Sequence, residues 1–132
     1  MPTPAQNQQG VIDYFMKVIQ DQDFSLMGRM LGYGYTFNGH PNTPADNQAW
    51  IQSLHKKFGA FTVTIVAIFA TGNNVGLHWR ANVPAMNGQP AGYLTGINMI
   101  TGDPVTGQAI ANVQVGDMGL HPGTEPIPDI GG

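Results

Sequence analysis

Residues 75–83 read VGLHWRANV, and apolar and polar side chains alternate along them. The apolar face consists of Val75, Leu77, Trp79, Ala81 and Val83. Because successive side chains of a strand point to opposite faces, this spacing predicts a β-strand with one buried face. The intervening residues His78, Arg80 and Asn82 are expected on the outer face of the sheet.

Patterns typical of strands lie on both sides of this stretch. Residues 61–70 are rich in β-branched and aromatic side chains and apolar on both faces toward their end, which predicts a central strand. Asn87-Gly88 is typical of a hairpin turn because both residues tolerate positive φ. Residues 92–101 and 108–116 follow as strands. The last strand is expected to face the core with Ala109, Ala111, Val113 and Val115.

Helical patterns occupy the first half of the chain. An amphipathic helix is predicted from the spacing of Ile12, Phe15, Met16 and Ile19. Asp23 suits the cap of a second short helix, and residues 33–37 indicate a short strand. A third helix is delimited by Thr43 as N-cap, Pro44 at the first helical position and Gly59 after the last turn. This order predicts an α+β fold, in which three helices pack on a curved antiparallel sheet and enclose an apolar cone.

The length of 132 residues fits one domain with a single core. Residues 1–8 are expected to form a flexible tail, residues 9–118 the domain, and the Pro- and Gly-rich residues 119–132 a second tail. Residues 1–10 contain neither a basic nor an apolar signal segment, so a cytoplasmic location is expected.

The composition excludes several classes of function. The net charge is −3, and the five Lys and Arg residues do not cluster, which argues against a nucleic-acid or membrane surface. The chain has no Cys, and its His residues lack metal-ligand spacing, so a metal site is not expected. Charged residues make up 10% of the chain, against about 25% in typical globular domains. Such a surface suggests that a second subunit covers part of it, in a homodimer.

Four segments, in this order of elements, resemble the nuclear transport factor 2-like superfamily, in particular its SnoaL-like polyketide cyclases and ketosteroid isomerases. They are DQDFSLMGRML at 21–31, FNGHP at 37–41, NGQP at 87–90 and VQVGDMGL at 113–120. The resemblance extends over residues 9–120. It implies a cone fold with an internal active site, and acid–base chemistry on a hydrophobic substrate without a metal or organic cofactor.

The resemblance also implies site residues. Asp117, followed by Met-Gly-Leu, matches the proton-carrying aspartate of SnoaL-like cyclases. His40 stands before a proline where ketosteroid isomerases have an aspartate base, Asn98 falls near their oxyanion-hole acid, and Tyr14 is adjacent to the position of their helix-one tyrosine. The segment that begins at Arg80 is similar to the Arg-x-Asp pair of limonene epoxide hydrolases but has Asn in place of the carboxylate.

Each catalytic candidate has an alternative interpretation. Asp117 is either a carboxylate with a raised pKa at an apolar cavity mouth, able to shuttle protons, or a turn residue after Gly116. His40 is either a general base or an exposed loop residue. His78 belongs to the outer face with Arg80, unless a twist or bulge turns it into the cone as a second acid–base group.

We expect Asp117 to act with His40 or His78. The substrate-binding side chains are expected to be Tyr14, Tyr33, Tyr35, Trp50, Trp79, Asn98 and Arg80. The favoured function is an enzyme of secondary metabolism that cyclises, isomerises or opens an epoxide of a polyketide- or terpenoid-like compound. One alternative is a non-catalytic carrier of a hydrophobic ligand, which predicts binding without turnover. The other is an association domain that binds a protein through the outer sheet face, which predicts an exposed apolar patch.

Overall fold

The structure of the protein, a computed structural model, describes residues 2–86, 88–116 and 120–122. Its α-helices are α1 (Pro4–Asp13), α2 (Met27–Met30) and α3 (Pro44–Phe58). Helix α1 continues into a π-helix at Tyr14–Gln20, and a 3₁₀ turn at Phe24–Leu26 precedes α2. Among the described residues, no helix has the length and apolar character needed to cross a membrane.

The strands form one mixed sheet against which the helices pack. They are β1 (Leu31–Phe37), β2 (His40–Pro41), β3 (Thr62–Thr71), β4 (Asn74–Val83), β5 (Gly92–Gly102), β6 (Ala109–Val115) and β7 (His121–Pro122). Their order is β2-β1-β6-β5-β4-β3, and β7 pairs with β5. The predicted α+β fold is confirmed. The sheet differs from the prediction in one respect, because β1 pairs with β6 in parallel.

The alternation along β4 is confirmed. Its five apolar residues are each at most 6% exposed, and they form the core together with side chains of the π-helix such as Phe15 and Val18. The rings of Phe15 and Trp79 pack with their centroids 6.3 Å apart. The core therefore lies between the inner face of β4 and the first helical segment.

The indole of Trp79 lies across Gly96, its cross-strand partner on β5. A Cβ atom at Gly96 would be 2.7 Å from Cζ2 of Trp79, so a side chain there would displace the ring. The outer face repeats this arrangement, with Phe69 lying across its partner Gly76. In both pairs, the aromatic side chain covers a strand glycine that has no side chain of its own to pack.

Within each predicted tail, some described residues form regular structure because of local hydrogen bonds. The first helix begins at Pro4, inside the predicted tail 1–8, since Thr3 and Gln6 form a capping box in which the hydroxyl of Thr3 accepts from Gln6 N at 3.1 Å. At the other end, β7 pairs with β5 within the predicted tail 119–132. By contrast, the Thr43 cap and the Gly59 end of α3 are confirmed.

Two strand predictions are also wrong. Strand β3 lies at an edge of the sheet rather than at its centre; its apolar outer residues, such as the 58% exposed Phe69, lie on the open sheet face. On β6, Val113 and Val115 are 49% and 67% exposed, whereas the preceding Asn112 is buried and Gln114, between them, is half-buried. The amides of β6 face the cone because they have hydrogen-bond partners there, and the apolar residues face outward.

We expect Gly96→Ala to destabilise the protein by about 1–3 kcal/mol, because the added methyl group must displace a packed indole. Urea unfolding followed by tryptophan fluorescence measures the change. Gly28→Ala is the matched control, since nothing lies within 4 Å of a Cβ there, and it should be neutral or stabilising by up to about 1 kcal/mol. Equal stabilities of the two variants would contradict the packing of Trp79 on Gly96.

Candidate functional site

The cone contains a main cavity of about 160 Å³. It lies between α1, the start of β1 and the turn from β5 to β6. Its buried walls are Val11, Leu31, Val75, Ile100, Tyr14, Tyr35, Asn7 and Asn112. The exposed side chains of Gln6, Arg29 and Thr106 stand at its rim. No Asp, Glu or His is among the described residues that line it.

A second, smaller cavity of about 30 Å³ lies between the π-helix, α3 and the sheet. That volume is about the share of one water molecule in the liquid. Its walls are almost wholly apolar, and its residues are Phe15, Ile19, Trp50, Leu54, Phe61, Val63, Trp79, Ala81, Leu94 and Gln114.

A chain of side-chain amides connects the two cavities. The indole N–H of Trp79 donates to Oδ1 of Asn98 at 2.7 Å. Nδ2 of Asn98 donates to Oδ1 of Asn112 at 2.8 Å and, over a longer 3.4 Å, to Oε1 of Gln114. Asn112 and Tyr35 both line the main cavity. Because Asn112 lines the main cavity and Gln114 the second, Asn98 is the branch point between them.

A separate pair of amides binds Tyr14, the first residue of the π-helix. Its hydroxyl donates to Oδ1 of Asn47 at 2.6 Å, and Nδ2 of Asn47 donates to Oδ1 of Asn42 at 3.1 Å. Asn47 lies in the first turns of α3, one turn after the Thr43 cap. The cap that starts α3 therefore also places the acceptor for Tyr14.

Burial raises the pKa of Tyr14 far above its usual value, and the nearby Tyr35 raises it further. Burial likewise raises the pKa of Tyr35. In both cases, loss of water around the phenolate is the largest cause. Both hydroxyls therefore keep their protons at neutral pH.

Solved structures share this architecture. A SnoaL-like polyketide cyclase from Agrobacterium tumefaciens has a TM-score of 0.71 at 8% identity, over 89% of this chain and 93% of that chain. TsrD from Streptomyces laurentii has a TM-score of 0.72 at 11% identity, over 89% of this chain and 92% of that one.

The chain has a SnoaL-like, nuclear transport factor 2-like fold. TerC, co-crystallised with polyporic acid, shares it with a TM-score of 0.68 at 12% identity, over 87% of this chain and 92% of that chain. No protein-family model and no curated protein sequence matches the chain. Identities this low establish the fold alone.

Within the SnoaL-like cone, the predicted binding residues fall into three groups. Tyr14 and Tyr35 line the main cavity. Trp50 and Trp79 line the second cavity. Asn98 is 1% exposed and lines neither, since its amide is taken up by its hydrogen bonds to Trp79, Asn112 and Gln114.

The remaining predicted residues lie away from both cavities. Tyr33 is fully exposed, and His40 is exposed in β2. His78 and Arg80 lie on the outer face of β4, where the hydroxyl of Thr95 donates to the Trp79 carbonyl at 3.0 Å and Nε2 of His78 is 2.9 Å from the same hydroxyl. Since Thr95 has already donated its proton, His78 is the donor.

Asp117, the predicted proton carrier, lies outside the described residues. Among those that are described, no group of three or more His, Cys, Asp or Glu side chains is placed to hold a metal ion. The prediction that Asp117 points into the core rested on the parity of Val113 and Val115, and the exposure of those two residues removes that support.

Sequence reasoning did not identify Asn47, Asn112 or Gln114. A usable signal was present, since an amide within the body of a helix or strand is unfavourable unless its polar atoms find partners. Asn98 and Asn112 both stand inside apolar strands, and Asn47 follows a well-defined helix cap. Their spacing along the chain gives no indication that they meet.

We expect the Tyr14→Phe variant to lose less stability than the wild type when the pH is raised into the alkaline range. The raised pKa means that folded Tyr14 keeps a proton that the unfolded chain releases above about pH 10. The free energy of unfolding must therefore fall as the pH rises through that value. Phe cannot ionise, so the variant lacks this contribution to the dependence of the free energy of unfolding on pH. At neutral pH, the variant loses the hydrogen bond to buried Asn47, which costs about 1–3 kcal/mol.

Urea unfolding at a series of pH values measures this effect. The exposed Tyr33→Phe is the matched control and should keep the wild-type dependence on pH. If Tyr14→Phe and wild type lose stability in parallel above about pH 10, the assignment of a buried, protonated Tyr14 is wrong.

Proposed function

We propose that the chain is a cofactor-independent enzyme that binds a hydrophobic small molecule in the main cavity and moves a proton on it. The reaction class is cyclisation, isomerisation or epoxide opening. The observation that carries this proposal is the main cavity itself, in which apolar walls surround two buried tyrosine hydroxyls that remain protonated. Such walls exclude water, and neutral donors among them stabilise negative charge that develops on a ligand oxygen.

Of the polyketide- and terpenoid-like substrates expected from the sequence, two fold neighbours favour an aromatic or polyketide-like one. One of them is named a SnoaL-like polyketide cyclase, and TerC was crystallised with polyporic acid. The Tyr14 hydroxyl already donates its proton to Asn47, so in this proposal the Tyr35 hydroxyl holds the developing oxyanion, a role expected from the sequence for Asn98. Both N–H groups of Asn98 are already donated to Asn112 and Gln114, so they are not available to a substrate.

Asp117 is the proposed proton carrier, on the resemblance of its segment to SnoaL-like cyclases and on the position of its described neighbours. Gly116, the residue before it, packs against Gly96, since a Cβ atom at Gly116 would be 2.8 Å from Gly96 Cα. Gln114 lines the second cavity, and Leu120 packs against the core. The described residues before and after Asp117 thus both lie beside β5.

Asp117→Asn should lower turnover by about 10²- to 10⁴-fold, the usual contribution of one general acid–base group. Linear β-polyketones and terpenoid epoxides serve as substrates, with products detected by liquid chromatography and mass spectrometry. Asp21→Asn, at an exposed position outside the cavities, is the matched control. Full activity in Asp117→Asn would contradict its role, and tight binding of these compounds without conversion by the wild type would favour a carrier.

A second proposal, homodimerisation, rests on the outer face of the sheet. Five large apolar side chains are 43–67% exposed there: Phe69, Ile97, Met99, Val113 and Val115. They form one patch, because Ile97 pairs with Val115 and Met99 with Val113 across β5 and β6. We propose that a second copy of the chain covers this patch, which suits the low charge of the chain and the self-complementary surface of a two-fold dimer.

Val115→Glu should convert a dimer into monomers, because it places a charge within the apolar patch. Light scattering at a protein concentration of tens of micromolar measures the molar mass. The wild type is expected at twice the 14.1 kDa of one chain. Val105→Glu is the control, since Val105 is 75% exposed in the turn between β5 and β6, away from the patch. A monomeric wild type, or a dimeric Val115→Glu, would overturn the proposal.

A further inference from the structure

Helices α1 and α3 begin with nearly the same sequence. Residues 3–7 read TPAQN and residues 43–47 read TPADN. In both segments the threonine hydroxyl caps the helix. The backbone N–H of Asn7 donates to the carbonyl of Thr3 at 2.9 Å, and that of Asn47 donates to the carbonyl of Thr43 at 2.9 Å. The two asparagines therefore occupy the same position in their helices, one turn after the cap, and both are buried.

The side chains of the two asparagines differ in their hydrogen bonds. Asn47 uses both polar atoms, since Oδ1 accepts from the Tyr14 phenol at 2.6 Å and Nδ2 donates to Asn42 at 3.1 Å. Within the described part of the chain, the side chain of Asn7 makes one hydrogen bond, in which Nδ2 donates to the carbonyl of Gly72 at 3.4 Å. That carbonyl can only accept, so Nδ2 is the atom that faces it, and Oδ1 of Asn7 is left as an acceptor.

This oxygen lies beside two glycines of the main cavity. Gly102 and Gly107 line the cavity together with Asn7, and Cβ atoms at these glycines would be 3.9 and 3.4 Å from Oδ1. Because neither glycine has a side chain, a polar atom of a ligand has room to approach Oδ1 there. Asn7 is 9% exposed, and a buried acceptor is costly unless it is paired.

We propose that Oδ1 of Asn7 accepts a hydrogen bond from a hydroxyl group of an uncharged aromatic ligand in the main cavity, as Oδ1 of Asn47 accepts one from the phenol of Tyr14. Asn7 is a specificity-determining residue that selects a phenolic or enolic O–H. The inference rests on the proposed binding of a hydrophobic ligand in this cavity and names the class of that ligand. It is independent of turnover.

The charges around the cavity favour a hydroxyl group over an ammonium group as the donor. No Asp or Glu is among the described residues that line the cavity, and Arg29 at its rim has the same charge as an ammonium group. An ammonium group in the cavity would lose its hydration without a partner of opposite charge. A phenol donates a hydrogen bond without a charge at neutral pH, since the pKa of such a group is about 10.

The size of the cavity limits the buried part of the ligand to about one ring. A cavity of about 150 Å³ with apolar walls binds benzene, and the main cavity measures about 160 Å³. A single hydroxylated ring is therefore a sufficient probe, and any larger part of a ligand extends past the rim.

Phenol and fluorobenzene test the inference as a pair, since they are nearly equal in size and only phenol has a hydroxyl proton to donate. Asn7→Leu keeps a side chain of similar length and removes its polar atoms. In this variant, the affinity for phenol relative to fluorobenzene should fall by about 3- to 10-fold, the range for one uncharged hydrogen bond. Both affinities are measured by NMR titration, and their ratio cancels a general change in the shape of the cavity.

Asn73→Leu is the matched control. Asn73 also lines the main cavity, but it is half-buried in the turn between β3 and β4, and its loss should leave the affinity ratio at the wild-type value. An equal fall in both variants would show that the loss of any amide from the wall has this effect, and it would overturn the role of Asn7.

A measurement on the wild type covers the case in which Asn7→Leu does not fold. The ¹³C resonance of the Asn7 side-chain carbonyl should move further downfield with phenol than with fluorobenzene, because a hydrogen bond to the oxygen deshields the carbon. The side-chain carbonyl of Asn47, which already accepts from Tyr14, is the internal reference and should respond equally to the two probes.

The outcomes separate the inference from the proposed function. An unchanged affinity ratio in Asn7→Leu, or equal shifts of the Asn7 carbonyl with both probes, overturns the inference and leaves the proposed enzyme standing. A wild type that binds neither probe overturns both. Selective binding of phenol that depends on Asn7, together with no turnover of any compound, supports the inference and overturns the enzymatic proposal.

Discussion

The hydrogen bond from the Trp79 indole to Asn98 is the interaction on which the interior of this SnoaL-like cone depends. Buried amides are costly unless their polar atoms are paired, and Asn98 meets that demand through Trp79, Asn112 and Gln114. The indole can reach Asn98 because it lies flat over Gly96, which has no side chain in its way. A glycine, a tryptophan and an asparagine on two neighbouring strands thus form one structural unit.

Local patterns predicted much of the fold, where one physical effect dominates. The alternation along β4 is sufficient to predict the strand and its buried face, because each of its alternating apolar residues is buried. Thr43 and Pro44 predict the start of α3, yet Thr3 and Pro4 carry the same signal inside the segment that is predicted to be a tail. The difference lies in the neighbouring residues, since α1 begins with a polar stretch whose buried member is Asn7. At the start of α1 the capping hydrogen bonds determine the structure, and the pattern of apolar residues does not predict a helix.

The site was harder to predict, because polar and apolar residues exchange their usual positions in part of the sheet. On β6 the amides face the cone and the valines face outward. A rule that places apolar residues inside therefore predicts the wrong face of this strand to be buried. Tyr33 and Tyr35 share a parity, yet one is exposed and the other buried. The register between β1 and β6 shifts between Leu31 and Thr36, and Gly34 within that interval has a φ of +76°. A sequence pattern contains no sign of such a shift.

The branch point at Asn98 has a consequence for how this fold can diversify. Its side chain lines neither cavity, yet it is the hydrogen-bond partner of the Trp79 indole and of Asn112. A leucine at that position would leave both of these buried groups without this partner. A substitution at a position that lines neither cavity therefore disturbs the walls of both, and no comparison of cavity walls would reveal its cause.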